Sequence, residues 1–170
     1  MSIPSALVTG GAGFVGSAII DALLEQHPEC AITSLDVKPA DGVAERRPTV
    51  AYFTVDITDA KEVSRVVQEA KPSVIIHVAG IVATLSNRYT RKDRDLFWKI
   101  NVEGTRNMLA AAKEAGVEAF VYTSSCCSVT DDVKYQYPNV DETWPTSHNS
   151  LIYGESKASP STIRLPVAAG

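Results

Sequence analysis

Cysteine is scarce in this 170-residue chain: only Cys30, Cys126 and Cys127 occur, an odd number with two of them adjacent. That pattern gives neither a disulfide framework nor zinc-ligand spacing, and it points to a reducing, cytoplasmic compartment. No metal site is expected. Long apolar runs are absent too. The longest candidate, Ser73 to Leu85, is broken by His77 and Gly80, so no transmembrane segment is expected. The N-terminus lacks a basic stretch followed by an apolar one, and no secretory signal is read there. Basic excess is missing as well: 16 Lys+Arg face 20 Asp+Glu, for a formal charge of −4. A nucleic-acid partner is disfavoured by that balance. Ten glycines and nine prolines carry no period, and no internal repeat or low-complexity tract occurs. With 45% hydrophobic residues the chain is not disordered.

What is present is an alternation of short apolar runs with helix-period segments, the pattern of a parallel sheet with crossover helices. Strands are read at Ala6–Val8, Ala31–Val37, Val50–Ile57, Val74–Val78 and Ala119–Thr123. Val15, Ile19 and Leu23 recur at helical spacing after the first strand. A second helix starts at Asp59, with Glu62 as its capping-box partner and Val63, Val66, Val67 and Ala70 as its apolar face, and Pro72 stops it. A third spans roughly Arg91 to Ala115, with Leu96, Ile100, Met108 and Ala112 on one side and Gly116 after its end. From Ser128 to Asn149 periodicity fails and a loop is read; a last helical fragment begins near Leu151. Right-handed crossovers then give an α/β, Rossmann-type doubly wound parallel sheet of order 3-2-1-4-5. The Pro39–Pro48 loop is too short to separate domains, so one domain is expected.

Two motifs carry chemistry. Thr9-Gly10-Gly11-Ala12-Gly13-Phe14-Val15-Gly16 lies between the first strand and the first helix. It satisfies T-G-x-x-G-x-x-G through Gly10, Gly13 and Gly16, and G-x-G-x-x-G through Gly11, Gly13 and Gly16. Glycines let a pyrophosphate approach the backbone, and the helix N-terminus offers N–H groups and a positive dipole end. A lone match would equally describe a tight strand-to-helix turn. Here Asp36 follows 20 positions beyond Gly16, at the end of strand two. A carboxylate there accepts bonds from ribose hydroxyls and repels a 2′-phosphate, which favours NAD over NADP.

The second motif is Tyr153-Gly154-Glu155-Ser156-Lys157. On a helix, residues i and i+4 share a face, and a neighbouring ammonium lowers a phenol pKa. The spacing alone equally describes an exposed Tyr and Lys. Its weight comes from position: it follows the fifth strand and the hydroxyl cluster Thr123-Ser124-Ser125, at the carboxyl edge where ligands of such sheets bind. That cluster equally reads as a strand end satisfying its own backbone.

The strings TGGAGFVG (9–16), VDITD (55–59), HVAG (77–80), NVEGTRNML (101–109), VYTSS (121–125), DETWP (141–145) and YGESK (153–157) stand in order along the chain. In them the sequence resembles the extended short-chain dehydrogenase/reductases, and within these the 3β-hydroxysteroid dehydrogenase/isomerase family. Fungal enzymes that oxidise the 3-hydroxyl of 4-carboxysterols, with decarboxylation, look nearest. The resemblance implies an NAD-dependent oxidoreductase that turns a 3β-hydroxyl of a steroid or sterol into a ketone. A nucleotide-sugar epimerase or small-carbonyl reductase of the same superfamily, and a non-catalytic dinucleotide-binding module, are the alternatives.

By resemblance, Tyr153 would be the general base and would also contact the cofactor. Lys157 would bind the nicotinamide ribose and depress the tyrosine pKa. Ser125, or Ser124 one residue earlier, would orient the substrate oxygen. Asn101 would help position the lysine through water, although a solvated helix Asn is an equal reading. Gly10, Gly13, Phe14, Val15, Gly16 and Asp36 would hold the nucleotide, Asp56 and Ile57 would flank the adenine, and Ala79 and Gly80 would pass along the cofactor. His77 reads as a satisfied core histidine. The resemblance also implies peripheral association with the endoplasmic reticulum, and a homodimer is a further expectation.

The family pattern breaks after Lys157, where Pro160 interrupts the Tyr-Lys helix. The helix is expected to be about two turns long. Residues 1–158 are expected to form the NAD-binding portion and 159–170 an irregular tail, with the sheet incomplete and the substrate-binding portion absent. An alternatively spliced or truncated product is the reading that follows.

Overall fold

The computed structural model describes residues 3–39, 47–84, 91–130, 136, 138–141, 143–146 and 150–161. They fall into two compact units, Met1–Gly80 with Gly104–Thr123, and Ile81–Glu103 with Ser124–Gly170.

The first unit holds β1 (Ser5–Thr9), α1 (Phe14–Gln26), β2 (Ala31–Asp36), β3 (Val50–Thr54), α2 (Ala60–Ala70), β4 (Val74–His77), α4 (Thr105–Glu114) and β5 (Ala119–Tyr122). All strand pairs are parallel, and the order is β3-β2-β1-β4-β5, as the sequence predicts. Leu7 lies opposite Ile75 in register, and both are fully buried. Ala6 and Val8 point to the other face and join Ile20 and Leu23 of α1, Cys30, Ile32 and Val50 in one core cluster. The buried face of α1 is Gly16, Ile20 and Leu23, one residue round from the Val15-based stripe; Val15 itself is exposed.

Asp59 caps α2, accepting from the Lys61 and Glu62 amides. The reciprocal half of the expected capping box does not form. The Asp59 amide already donates to the Asp56 carbonyl at 2.9 Å, and the Glu62 carboxylate turns to Arg65 at 2.9 Å. Val63, Val66 and Val67 are fully buried, and α2 packs against α4.

The second unit holds α3 (Arg94–Phe97), all but the last residue of a π-helical stretch (Trp98–Gly104), α5 (Cys127–Thr130) and α6 (Ile152–Ser161). The buried face corrects the one read for Arg91–Ala115: Leu96 is 52% exposed, while Phe97 and Asn101, one turn apart, are 5% and 1% exposed. At about 3.6 residues per turn, positions seven and eleven residues before the buried Met108 fall on whole turns, and those of Ile100 and Leu96, eight and twelve before it, do not. Cys127–Thr130 forms a short helix where the sequence reads as loop; its first turn is closed by the Val129 and Thr130 amides on the Cys126 carbonyl, 3.0 and 2.9 Å. Residues 131–135, 137, 142 and 147–149 of that loop lie outside the described residues.

The Tyr-Lys helix is also longer than expected: α6 has ten residues and includes Pro160. Proline at the ninth position removes one amide bond near the C-terminus and leaves the turns before it intact. The remaining tail, 162–170, lies outside the described residues. No helix among the described residues is long and apolar enough to cross a membrane.

Candidate active site

Of the residues singled out for the cofactor, all but Tyr153 and Lys157 fall in the first unit, at the carboxyl ends of neighbouring parallel strands. β1 leads into the glycine turn, β2 ends at Asp36, β3 leads to Asp56 and Ile57, and β4 leads to Ala79 and Gly80. The chain crosses to opposite sides of β1 toward β2 and β4, which makes this the switch point where open α/β sheets bind ligands.

Gly10 adopts φ +70, a left-handed conformation that turns the chain sharply out of β1. A Cβ on Gly16 would stand 2.1 Å from the Gly10 carbonyl oxygen, so the turn and the first helical turn are packed backbone to backbone. The N-cap of α1 is Gly13, with no side-chain cap and no acidic residue in the first turn. That end of α1 is thus left to an anion by its sequence. Phe14 and Val15 stand exposed beside it.

The Asp36 carboxylate accepts from the Ala12 amide at 3.0 Å and from the Lys38 amide at 2.9 Å. It is half-buried and braces the glycine turn while keeping lone pairs for further donors. Asp56 is exposed and accepts from the Thr58 amide at 2.8 Å. Ile57 is buried: its side chain fills the space a Cβ on Gly104 would need, 2.6 Å away, and its carbonyl accepts from Asn107 Nδ2 at 3.0 Å. Asn107 escaped the sequence reading although it lies within the NVEGTRNML string. Ala79 is half-buried and Gly80 exposed.

The residues singled out for catalysis fall in the second unit. Tyr153 and Lys157 sit four residues apart on α6. The Tyr153 ring is half-buried and meets Phe97 edge-on, with centroids 6.5 Å apart. Lys157 is 5% exposed, and burial lowers its pKa from 10.5 to about 8. An ammonium held at that value is still mostly charged at pH 7 and can lower the pKa of a phenol on the same face.

Asn101 is not a solvated helix residue. Its Oδ1 accepts from the Ile81 amide at 2.8 Å, and its Nδ2 donates to the Ile81 carbonyl at 3.0 Å and to Ser156 Oγ at 2.9 Å. Ser156 was not singled out from sequence, yet it is 1% exposed and also donates to the Tyr153 carbonyl at 2.8 Å.

Ser125 and Ser124 are both half-buried. Ser125 Oγ accepts from the Cys127 amide at 3.2 Å, and Ser124 Oγ lies 3.5 Å from the Lys157 carbonyl. Glu155 is clamped by Arg91 at 2.7 Å and Arg94 at 2.9 Å. Burial pushes the Glu155 carboxyl up, but the hydrogen bonds from Arg94 and Arg91 outweigh it and hold the group below its ordinary value. Arg94 also lies over the Trp98 ring, 4.7 Å from its centroid. No sequence motif signalled this clamp. Among the described residues no group of three or more His, Cys, Asp or Glu could hold a metal.

The profile of the NAD dependent epimerase/dehydratase family matches residues 6–165. The chain belongs to that family.

The resemblance to sterol dehydrogenases holds as well. This family member is 33% identical to the decarboxylating sterol-4-alpha-carboxylate 3-dehydrogenase of Candida albicans, over 92% of this chain and 44% of the relative. It is 36% identical to the 3-beta-hydroxysteroid dehydrogenase of Mycolicibacterium neoaurum, over 89% of this chain and 40% of the relative. The crystal structure of Thermus thermophilus UDP-glucose 4-epimerase in complex with NAD superposes with a TM-score of 0.73 at 29% identity, covering 92% of this chain and 48% of that one. The chain therefore spans less than half the length of these relatives.

Proposed function

We propose that this chain is the NAD-binding portion of an oxidoreductase that oxidises the 3β-hydroxyl of a steroid or sterol to a ketone. The observation that carries the reading is the buried Lys157, its pKa lowered to about 8, one helical turn from Tyr153. Identity to enzymes named for sterol 3-dehydrogenation supports the substrate class.

The glycine turn fits a dinucleotide, because Gly16 and Gly10 leave no side chain between the backbone and an approaching pyrophosphate. In this reading Gly10, Gly13, Phe14, Val15 and Gly16 form the phosphate cradle, Asp36 takes the ribose hydroxyls, Asp56 and Ile57 flank the adenine, and Ala79 and Gly80 line the path of the cofactor. Bound NAD supplies a hydride acceptor. Ser125, with Ser124 as the alternative, holds the substrate oxygen. The Tyr153 phenolate removes the hydroxyl proton, and the Lys157 ammonium keeps that phenolate accessible near neutral pH. Asn101 acts from behind α6 through Ser156. Residues 1–158 make up this portion, and the substrate-specific portion is the part of the relatives' length that the chain does not span. Peripheral association with the endoplasmic reticulum and homodimerisation belong to the same proposal, tested by membrane fractionation and sedimentation.

A second reading, a nucleotide-sugar epimerase, is favoured by the likeness to UDP-glucose 4-epimerase. A fluorescence titration of this chain with NADH, followed by turnover assays with a 3β-hydroxysterol and with a UDP-hexose on the chain extended by the length its relatives have beyond it, separates the readings. Binding with sterol oxidation supports the proposal. Interconversion of the UDP-hexose establishes the epimerase, and binding with neither turnover leaves a dinucleotide-binding module. Absence of NADH binding sinks all three.

A further inference from the structure

His77 closes β4 and is fully buried. Its ring packs against Phe120 and Tyr122 of β5, with centroids 5.8 and 5.9 Å away. Both ring nitrogens are engaged: Nδ1 lies 2.7 Å from Thr9 Oγ1, and Nε2 lies 2.9 Å from Thr105 Oγ1. Thr9 is the last residue of β1, immediately before the glycine turn. Its hydroxyl also accepts from the backbone amides of Val78 and Ala79, each at 3.1 Å.

These contacts fix the tautomer. A hydroxyl has two lone pairs and one proton. The two amides occupy the lone pairs of Thr9, so its proton goes to His77 Nδ1. Nδ1 is then the acceptor, and the ring carries its proton on Nε2, donated to Thr105. The opposite tautomer would aim an N–H at an oxygen with no lone pair left for it.

We infer that His77, as the neutral Nε2–H tautomer, sets the register of the glycine turn against Val78 and Ala79, and so is a positioning residue of the nucleotide cradle; this rests on the nucleotide reading above. The two segments have little slack: a Cβ built on Gly10 would be 3.0 Å from the Ala79 nitrogen. Without the ring, the Thr9 hydroxyl loses the partner that orients it, and the two amides lose a fixed acceptor. A histidine that merely filled the core would be replaceable by a ring of similar size at a cost in stability alone.

The test uses the whole chain. A long-range 1H–15N spectrum of histidine-labelled protein should show His77 protonated at Nε2 and bare at Nδ1; the reverse pattern overturns the inference. In His77→Phe, amide exchange at Val78 and Ala79 should quicken by about tenfold, and NADH affinity should fall by about the same factor, the scale of one buried hydrogen bond. Amides of β2 and α2 should keep their rates. His77→Asn, which restores an acceptor near Nδ1, should recover most of both effects. Unchanged exchange at Val78 and Ala79 in His77→Phe overturns the inference. Should that variant fail to fold, Thr9→Val against Thr9→Ser gives the same readout. If the wild-type chain binds no NADH, the nucleotide reading falls, while the tautomer and exchange results still decide the register.

Discussion

Asn101 Nδ2 donates to Ser156 Oγ over 2.9 Å, and the same hydroxyl donates to the Tyr153 carbonyl over 2.8 Å. The residue expected to reach Lys157 through water thus reaches the helix of Tyr153 and Lys157 through a serine of the YGESK string. Asn101 also closes a two-way bond with the Ile81 backbone. The helix that carries the pair is thus held by one amide side chain through Ser156.

Asn101 and Ser156 should therefore be energetically coupled. Ser156→Ala leaves a buried N–H of Asn101 unsatisfied and should cost about 1–3 kcal/mol. Asn101→Ala should cost at least as much, and the double variant should fall short of the sum by about 1 kcal/mol. Urea denaturation of the four proteins measures this. Strict additivity would show that the contact does not bind the two elements.

Lys157 makes stability depend on pH in a definite direction. Its folded pKa, about 8, lies below the ordinary 10.5. Between those values the unfolded chain binds more protons, so stability rises with pH across that window. The full gain is about 3 kcal/mol, since each unit is worth about 1.4 kcal/mol. Below pH 8 the cost of burying the ammonium is fully present. Lys157→Met should abolish the rise and be more stable than wild type at pH 7. Denaturation midpoints from pH 7 to 10.5 check both expectations.

Glu155 gives the opposite limb. Its carboxyl is held below the ordinary value, so its contribution is present above the unfolded pKa and is lost as pH falls through the folded one. Glu155→Gln should weaken the Arg91 and Arg94 clamp by about 1 kcal/mol at neutral pH and 50 mM salt, and less at 500 mM. It should also flatten the acid limb of the stability profile.

Two glycines of the turn should respond unequally to alanine. At Gly16 the new Cβ meets the Gly10 carbonyl at 2.1 Å and the Gly10 carbonyl carbon at 2.7 Å, a backbone clash that cannot be relieved by rotating a side chain. Gly16→Ala should cost about 3 kcal/mol or more and abolish NADH binding. At Gly11 the nearest atom is Ser34 Oγ, 2.2 Å away. Gly11→Ala should be milder, and Ser34→Ala should partly restore it. Thermal denaturation with and without NADH distinguishes the two.

The sequence by itself determined the sheet order, the glycine turn, Asp36 at the end of β2 and the Tyr-Lys spacing, because each depends on local periodicity or on steric rules within a few residues. Asp59 as a cap and Gly116 beyond α4 belong to the same class. Tertiary structure decided what depends on partners distant in sequence. Packing put Phe97 and Asn101 on the buried side of their segment and left Leu96 exposed. Ser156, Asn107 and the Arg91–Arg94–Glu155 clamp acquired partners 50 to 64 residues away. The tautomer of His77 was set by a hydroxyl 68 residues upstream. Lys157 acquired its lowered pKa only through burial, which no spacing in the sequence encodes.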